Sequence, residues 1–327
     1  MDDRVAQLAY STRHLTYPHY GVSLQLQYKE CYIIHSGQHA VDYTGLRIWP
    51  GAHLLAHYLL HSQHSQHSLH GQVVCELGAG VGLCGLMAAR FARRVVLTDR
   101  VQAVLDVIDR NVGLNQLSAT ASSHVLEWGD SGARSLLESL QLPSAFTSVI
   151  AADVIYPDTT DECMHALFDT VTALLPSSPT STSASSTAAL HGRFVLSYVN
   201  RSAATCRRFL HCAHSHHYTA THVPQSAYLV DSRQQQEMST ELQQLHGYIL
   251  LFERVGQQQW ATDDVRWLEV EPFASMMTSE RCEGGETGQQ QQRTAWADDD
   301  EGSALPMSGY EEEELEVSAA QEQTVEM

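Results

Sequence analysis

Apolar positions along this chain follow two alternating rhythms. Short continuous runs, such as Val73-Val74-Cys75 and Val95-Val96-Leu97, are followed by stretches where apolar residues recur every three or four positions, such as Leu83, Leu86, Met87 and Phe91. Continuous runs read as strands covered on both faces, and the longer spacing reads as helices lying against them. The pattern predicts a helix at 51–61, facing the sheet with Leu54, Leu55, Tyr58 and Leu59. Strands follow at 72–77, 94–98, 121–127, 147–152 and 193–199, alternating with helices at 82–91, 101–115, 132–140, 159–175 and 201–213. This alternation predicts a doubly wound, mostly parallel sheet. Strands near 218–223 and 247–255 lie too close together for a parallel crossover. Residues 20–44 read as two or three short strands of an N-terminal hairpin.

The first long strand runs into Glu76-Leu77-Gly78-Ala79-Gly80-Val81-Gly82. Glycines at alternate positions let the backbone turn sharply and approach a ligand, because they tolerate positive φ and carry no Cβ. A ligand here would sit at the carboxyl end of the first strand and the amino end of the next helix. The second strand ends at Asp99, about 20 residues on, where a carboxylate can accept hydrogen bonds from ribose hydroxyls. Asp99 also precedes a helix, so a helix-capping role is compatible with its position. The loop is G-x-G-x-G, not the G-x-G-x-x-G of dinucleotide folds, and Glu76 before it would repel a pyrophosphate. Its charge suits a ligand carrying an ammonium and a sulfonium, and S-adenosyl-L-methionine is such a ligand.

Composition narrows the class further. The chain has 327 residues and a formal net charge of −19. Residues 256–327 hold 18 acidic residues against Arg266, Arg281 and Arg293, so most of the charge lies in a tail expected to be largely disordered. The remainder is nearly balanced, which is not the footprint of a protein that neutralises phosphates. No apolar run reaches the length needed to cross a bilayer. The seven cysteines lack C-x-x-C spacing, so buried free thiols in a reducing compartment are expected. Histidines recur at His53, His57, His61, His64, His67 and His70, and again at His211, His214, His216 and His217. They read as low-complexity segments, and no metal site is expected. The layout is therefore an extension at 1–50, a domain at 51–255 with a Ser/Thr-rich insertion at 177–190, and the tail at 256–327.

Several further elements stand in one order: Gly45-Leu46-Arg47-Ile48-Trp49-Pro50-Gly51, the Glu76–Gly82 loop, Thr98-Asp99, Asn111 and Asn115, Glu127-Trp128-Gly129, Ala151-Ala152-Asp153-Val154-Ile155-Tyr156, and a closing strand at 248–254. In this the chain resembles class I S-adenosylmethionine-dependent methyltransferases, and within them the seven-strand protein-lysine methyltransferases of methyltransferase family 16. The resemblance implies a Rossmann-like sheet whose last strand inserts antiparallel. It also implies S-adenosyl-L-methionine as cofactor, held by Trp49, Glu76, Gly78, Ala79, Gly80, Asp99, Trp128 and Ala152. Asp153 would orient the acceptor amine and Tyr156 would wall its channel. Without the resemblance, Asp153 reads as a cap for the helix opening near Thr159 and Tyr156 as ordinary packing. The acceptor implied is a protein lysine, with a protein histidine or a small amine as alternatives. A catalytically silent methyl-donor-binding module is the alternative from another class. The partner expected is a protein substrate such as a chaperone or another abundant intracellular protein, with no nucleic acid or membrane. The protein is expected as a monomer in the cytoplasm, with the nucleus as a second location.

Overall fold

A computed structural model describes residues 9–29, 43–63, 65, 67–141, 146–176, 192–229 and 246–255. The expected insertion at 177–190 and the acidic tail from 256 onward lie outside the described residues. Among the described residues, nine strands form two sheets. β1 (Ser11–Tyr17) and β2 (Val22–Tyr28) make an antiparallel hairpin, and the other seven form one sheet in the order β5-β4-β3-β6-β7-β9-β8. These are β3 (Val73–Leu77), β4 (Arg94–Asp99), β5 (Ala121–Val125), β6 (Ser148–Ala152), β7 (Arg193–Asn200), β8 (Tyr218–Val223) and β9 (His246–Arg254). Strands β3 to β7 pair in parallel, and β9 lies antiparallel between β7 and β8. The strand order reverses between β3 and β6, and ligands of such sheets bind outside the carboxyl ends at that point.

The period-2 alternation of the strands divides the core in two. Val74, Leu97, Ile150, Val195 and Ile249 face helices α1 (Pro50–Ser62), α2 (Leu83–Ala88) and α3 (Gln102–Leu114). Cys75, Val96, Val149, Phe194 and Phe252 face α4 (Asp130–Ser139), α5 (Asp161–Leu174) and α6 (Ala203–Ser215). Both sets of sheet residues are buried, which is why these strands read as unbroken apolar runs. The five cysteines among the described residues are free thiols. No helix of the described residues is long and apolar enough to cross a membrane.

Two boundaries differ from expectation for physical reasons. The hairpin lies at 11–28 rather than 20–44. β1 exposes most of its side chains and so carries no apolar alternation to read, and residues 30–42 lie outside the described residues. Helix α2 ends at Ala88, before the Phe91 expected from its spacing. The amides of Arg90 and Phe91 donate to carbonyls three residues back, tightening the last turn beyond α-geometry.

The hairpin is tied to the domain by two asparagines of one helix. The Asn111 side chain accepts from the Gln27 amide at 2.6 Å and donates to the Gln27 carbonyl at 3.0 Å. Asn115, four residues on, at the end of α3, repeats the pattern on Gln25 at 2.9 and 2.7 Å. Each amide satisfies one donor and one acceptor of β2's free edge, as a neighbouring strand would. Asn111 also donates to the Val81 carbonyl at 2.9 Å, so the same side chain touches the glycine loop.

Candidate active site

The glycine loop is built as the sequence requires. Gly78, Gly80 and Gly82 have φ of 60°, 54° and 87°, a region costly for residues with a Cβ. A Cβ at Gly78 would come within 2.9 Å of Val154 and 3.6 Å of Trp128, and one at Gly80 within 3.0 Å of the Gly45 carbonyl oxygen. These close approaches place Gly45, Trp128 and Val154 around the loop. Ala79 is buried, and its amide donates to the Thr98 carbonyl at 2.9 Å, extending the β3–β4 pairing by one bond.

Asp99 stands at the end of β4. Its carboxylate accepts from the Gly80 amide at 3.3 Å and the Val101 amide at 3.1 Å. It therefore joins the loop to the entry of α3, where Val101 and not Asp99 is the N-cap residue. Burial raises its pKa, opposed by the backbone amides it accepts from. The remaining lone pairs of its oxygens are the acceptors available to a vicinal diol.

Glu76 is placed differently from its expected ligand-facing role. It is 2% exposed, and its Oε2 accepts from the Gly85 amide at 2.7 Å inside the β3–α2 packing. A Cβ at Gly85 would collide with that oxygen and with the Leu97 side chain, so glycine there makes room for the carboxylate. Burial pushes the Glu76 carboxyl up to about 8, against the lowering effect of the Gly85 amide. Glu76 thus holds the loop's helical end together.

The second half of the site surrounds Asp153, which follows β6 with φ of 56°. It is not a helix cap: the N-cap of α5 is Thr160, whose side chain accepts from the Cys163 amide. The carboxylate of Asp153 instead receives both arms of Arg201, at 2.6 and 2.8 Å, from the end of β7. The Asp153 side chain is 1% exposed and that of Arg201 16%. The Gly51 amide, in the first turn of α1, donates to Asp153 at 3.4 Å, adding the positive end of that helix. A Cβ at Gly51 would lie 2.8 Å from that of Asp153. Burial disfavours the Arg201 charge, but the hydrogen bonds and charge of Asp153 outweigh it and raise the guanidinium pKa.

Trp49 immediately precedes α1, and its indole N–H donates to the Thr44 carbonyl at 2.9 Å. Arg201 lies 6.0 Å from its ring centroid and Arg47 5.0 Å on the same criterion. Arg201 therefore joins Trp49 to Asp153. It was missed in the sequence, where its only signal was its place directly after a strand end. Ala152 is partly buried against the α1–α3 side of the core. Tyr156 is 44% exposed, in a turn closed by the Thr159 amide on its carbonyl. That exposure places it at the surface of the domain.

S-adenosyl-L-methionine fits this arrangement. The cradle formed by Gly78 and Gly80 has no room for side chains, Asp99 offers acceptors one strand away, and Trp128 flanks Gly78 with an aromatic surface. An antiparallel strand at the penultimate position, the glycine loop at the reversal point and an acid at the end of the adjacent strand together define a class I methyltransferase domain. Residues 30–188 match the family model described as lysine methyltransferase. The mouse methyltransferase-like protein 22 is 33% identical over 157 residues, 44% of this chain and 38% of that protein. The mouse protein N-lysine methyltransferase METTL21A is 34% identical over 116 residues, 35% of this chain and 49% of that protein. The mouse histone-arginine methyltransferase METTL23 is 37% identical over 75 residues, 22% of this chain and 28% of that protein. The chain thus matches less than half the length of each of these relatives.

Proposed function

We propose that the protein is an S-adenosylmethionine-dependent N-methyltransferase acting on lysine side chains of a protein substrate. The observation that carries this reading is the placing of the Trp49–Arg201–Asp153 group at the same strand ends as the Asp99 and glycine cradle. When bound, the cofactor supplies a methyl group on a sulfonium sulfur, and the carbon–sulfur bond breaks as the acceptor nitrogen bonds to that carbon. The protein's part is to align the acceptor, exclude water and take up a proton. A lysine ammonium, with an ordinary pKa of about 10.4, must lose a proton before its nitrogen can attack.

Asp153 is the carboxylate available for that step, but its charge is held by Arg201 in this conformation. An arriving ammonium displaces one arm of the guanidinium, exchanging one charge-assisted pair for another. The low exposure of the site penalises both charges of the new pair, so the proton passes from the ammonium to the Asp153 carboxylate and leaves the neutral amine. Trp49 presents a flat apolar wall beside Arg201, and Tyr156 at the surface is placed to contact the substrate chain.

The testing experiment is transfer of a labelled methyl group to proteins of a lysate, followed by mass-spectrometric identification of the modified residue. Label on lysine supports the proposal, and label on arginine or histidine moves the acceptor class. The bidentate closure of Asp153 by Arg201 also favours a second reading, a methyl-donor-binding module without turnover. Cofactor binding by calorimetry with no labelled product from any lysate would select that reading.

A further inference from the structure

Helices α5 and α6 run in parallel with a constant offset in sequence. Arg208 meets Asp161 at 2.7 Å, Cys212 meets His165 at 3.4 Å and His216 meets Asp169 at 3.5 Å, each pair 47 residues apart. Cys212 and His216 are four residues apart at the end of α6, so they share one face and turn toward α5. His165 Nδ1 and His216 Nε2 lie 2.8 Å apart, and the donor atoms of His165, Cys212 and His216 fall within 4.8 Å of one another. The cluster is separate from the glycine cradle and from Asp153.

We infer that His165, Cys212 and His216 form a binding site for a zinc-class transition-metal ion, tying α5 to α6. Two imidazole nitrogens and one sulfur are the donor set that suits this class. With metal–nitrogen bonds near 2.0 Å and a metal–sulfur bond near 2.3 Å, a tetrahedral ion would hold nitrogen and sulfur about 3.5 Å apart and two nitrogens about 3.3 Å apart. The Cys212–His165 spacing already matches, and the imidazoles need to part by about half an ångström. Asp169 faces His216 Nδ1, the position from which a carboxylate fixes the tautomer and leaves Nε2 free to ligate. Phe168 stacks on the same ring, with centroids 5.7 Å apart at 26°, and holds its plane.

The proton balance is specific. With Nδ1–H of His216 directed at Asp169, the 2.8 Å contact is a hydrogen bond from His165 Nδ1–H to His216 Nε2. On metal binding His165 shifts to its Nε2–H tautomer and stays neutral, while the Cys212 thiol gives up its proton. One proton therefore leaves per ion bound. Three protein ligands leave a fourth position for water or an external donor. The helices joined follow the strands that carry Asp153 and Arg201, so the ion would brace the two loops of the acceptor site.

The test is titration of the full, chelator-treated chain with Co2+ as a spectroscopic probe. The expected result is one equivalent bound with a thiolate-to-cobalt charge-transfer band, release of one proton, and displacement by Zn2+. The band should vanish in Cys212→Ser and in His165→Ala, an exposed position whose change leaves the fold intact. Asp169→Ala should weaken binding about 10–100-fold. A wild-type protein without the band, or a band that survives Cys212→Ser or His165→Ala, overturns the assignment.

Discussion

Replacing Asp153 separates what the Asp153–Arg201 pair does for stability from what it does for chemistry. Asp153→Asn keeps the side-chain shape and tolerates φ of 56°, but leaves the Arg201 guanidinium, 16% exposed, without its counter-charge. Breaking a buried pair from one side costs about 3–5 kcal/mol, and the lower end applies because Arg201 reaches solvent. Asp153→Ala adds about 1 kcal/mol, since alanine at positive φ carries a penalty that Asp and Asn largely escape. At about 2–4 °C per kcal/mol for a domain of this size, Asn should lower the melting temperature by about 6–12 °C and Ala by a few degrees more. Replacing both residues by alanine should cost clearly less than the two single changes added together. The assay is thermal unfolding by circular dichroism on the wild type, Asp153→Asn, Asp153→Ala, Arg201→Ala and the double variant, with calorimetry of product-cofactor binding well below each transition. Cofactor affinity should stay within a small factor, while methylation of the identified substrate falls about 10²–10⁴-fold for Asp153→Ala. A shift under about 2 °C with full turnover would refute both halves of the reasoning.

Three other outcomes are expected. Asp99→Ala should weaken product-cofactor binding strongly in calorimetry while leaving NADH unbound, and preferential NADH binding would remove the cofactor assignment. Glu76 has its pKa raised to about 8 from an ordinary 4.5, so the folded state holds its proton more tightly than the unfolded chain. Its contribution is complete at acidic pH and is lost as pH rises through about 8. Glu76→Gln should flatten that decline in urea-unfolding free energies, and an unchanged slope would show that Glu76 is not the titrating group. Asn111→Ala leaves backbone groups of Gln27 and Val81 unpaired, at about 1–3 kcal/mol for each that stays buried. Hydrogen exchange should then show faster exchange at the Gln27 amide, and unaltered protection there would rule out the tether.

The strands, the helices of the sheet and the cofactor loop were legible in the sequence because each rests on local rules. Val73–Leu77 is apolar but for Glu76 since both faces are covered, and Gly78, Gly80 and Gly82 mark positive φ directly. Other features rest on distant pairings that no local pattern encodes. Arg201 reads as a surface arginine until β6 and β7 are set side by side, which brings it to Asp153, 48 residues earlier in the chain. The carboxylate of Glu76 points into the β3–α2 packing because Gly85 leaves space there, and a glycine inside an apolar helix gives no hint of that purpose. His216 was read with its neighbours as low complexity. Only the 47-residue offset of two parallel helices brings it to His165 and Cys212.

The position of β9 has a consequence for how the chain assembles. β7 and β8 do not pair with each other: β8 finds its partner in β9 alone, and β9 covers the edge of β7 that β6 leaves open. During synthesis from the amino terminus, the half of the sheet from β5 to β7 can form while β7 still presents an open apolar edge. β8 has no sheet to join until residues 246–254 leave the ribosome. A stop codon or proteolytic cut anywhere between β8 and β9 therefore removes two strands, not one. It also leaves β7, buried along its length in the finished protein, as an edge able to recruit another chain. Truncations just before His246 and just after Arg254 should differ sharply in solubility, although they differ by only 9 residues in length.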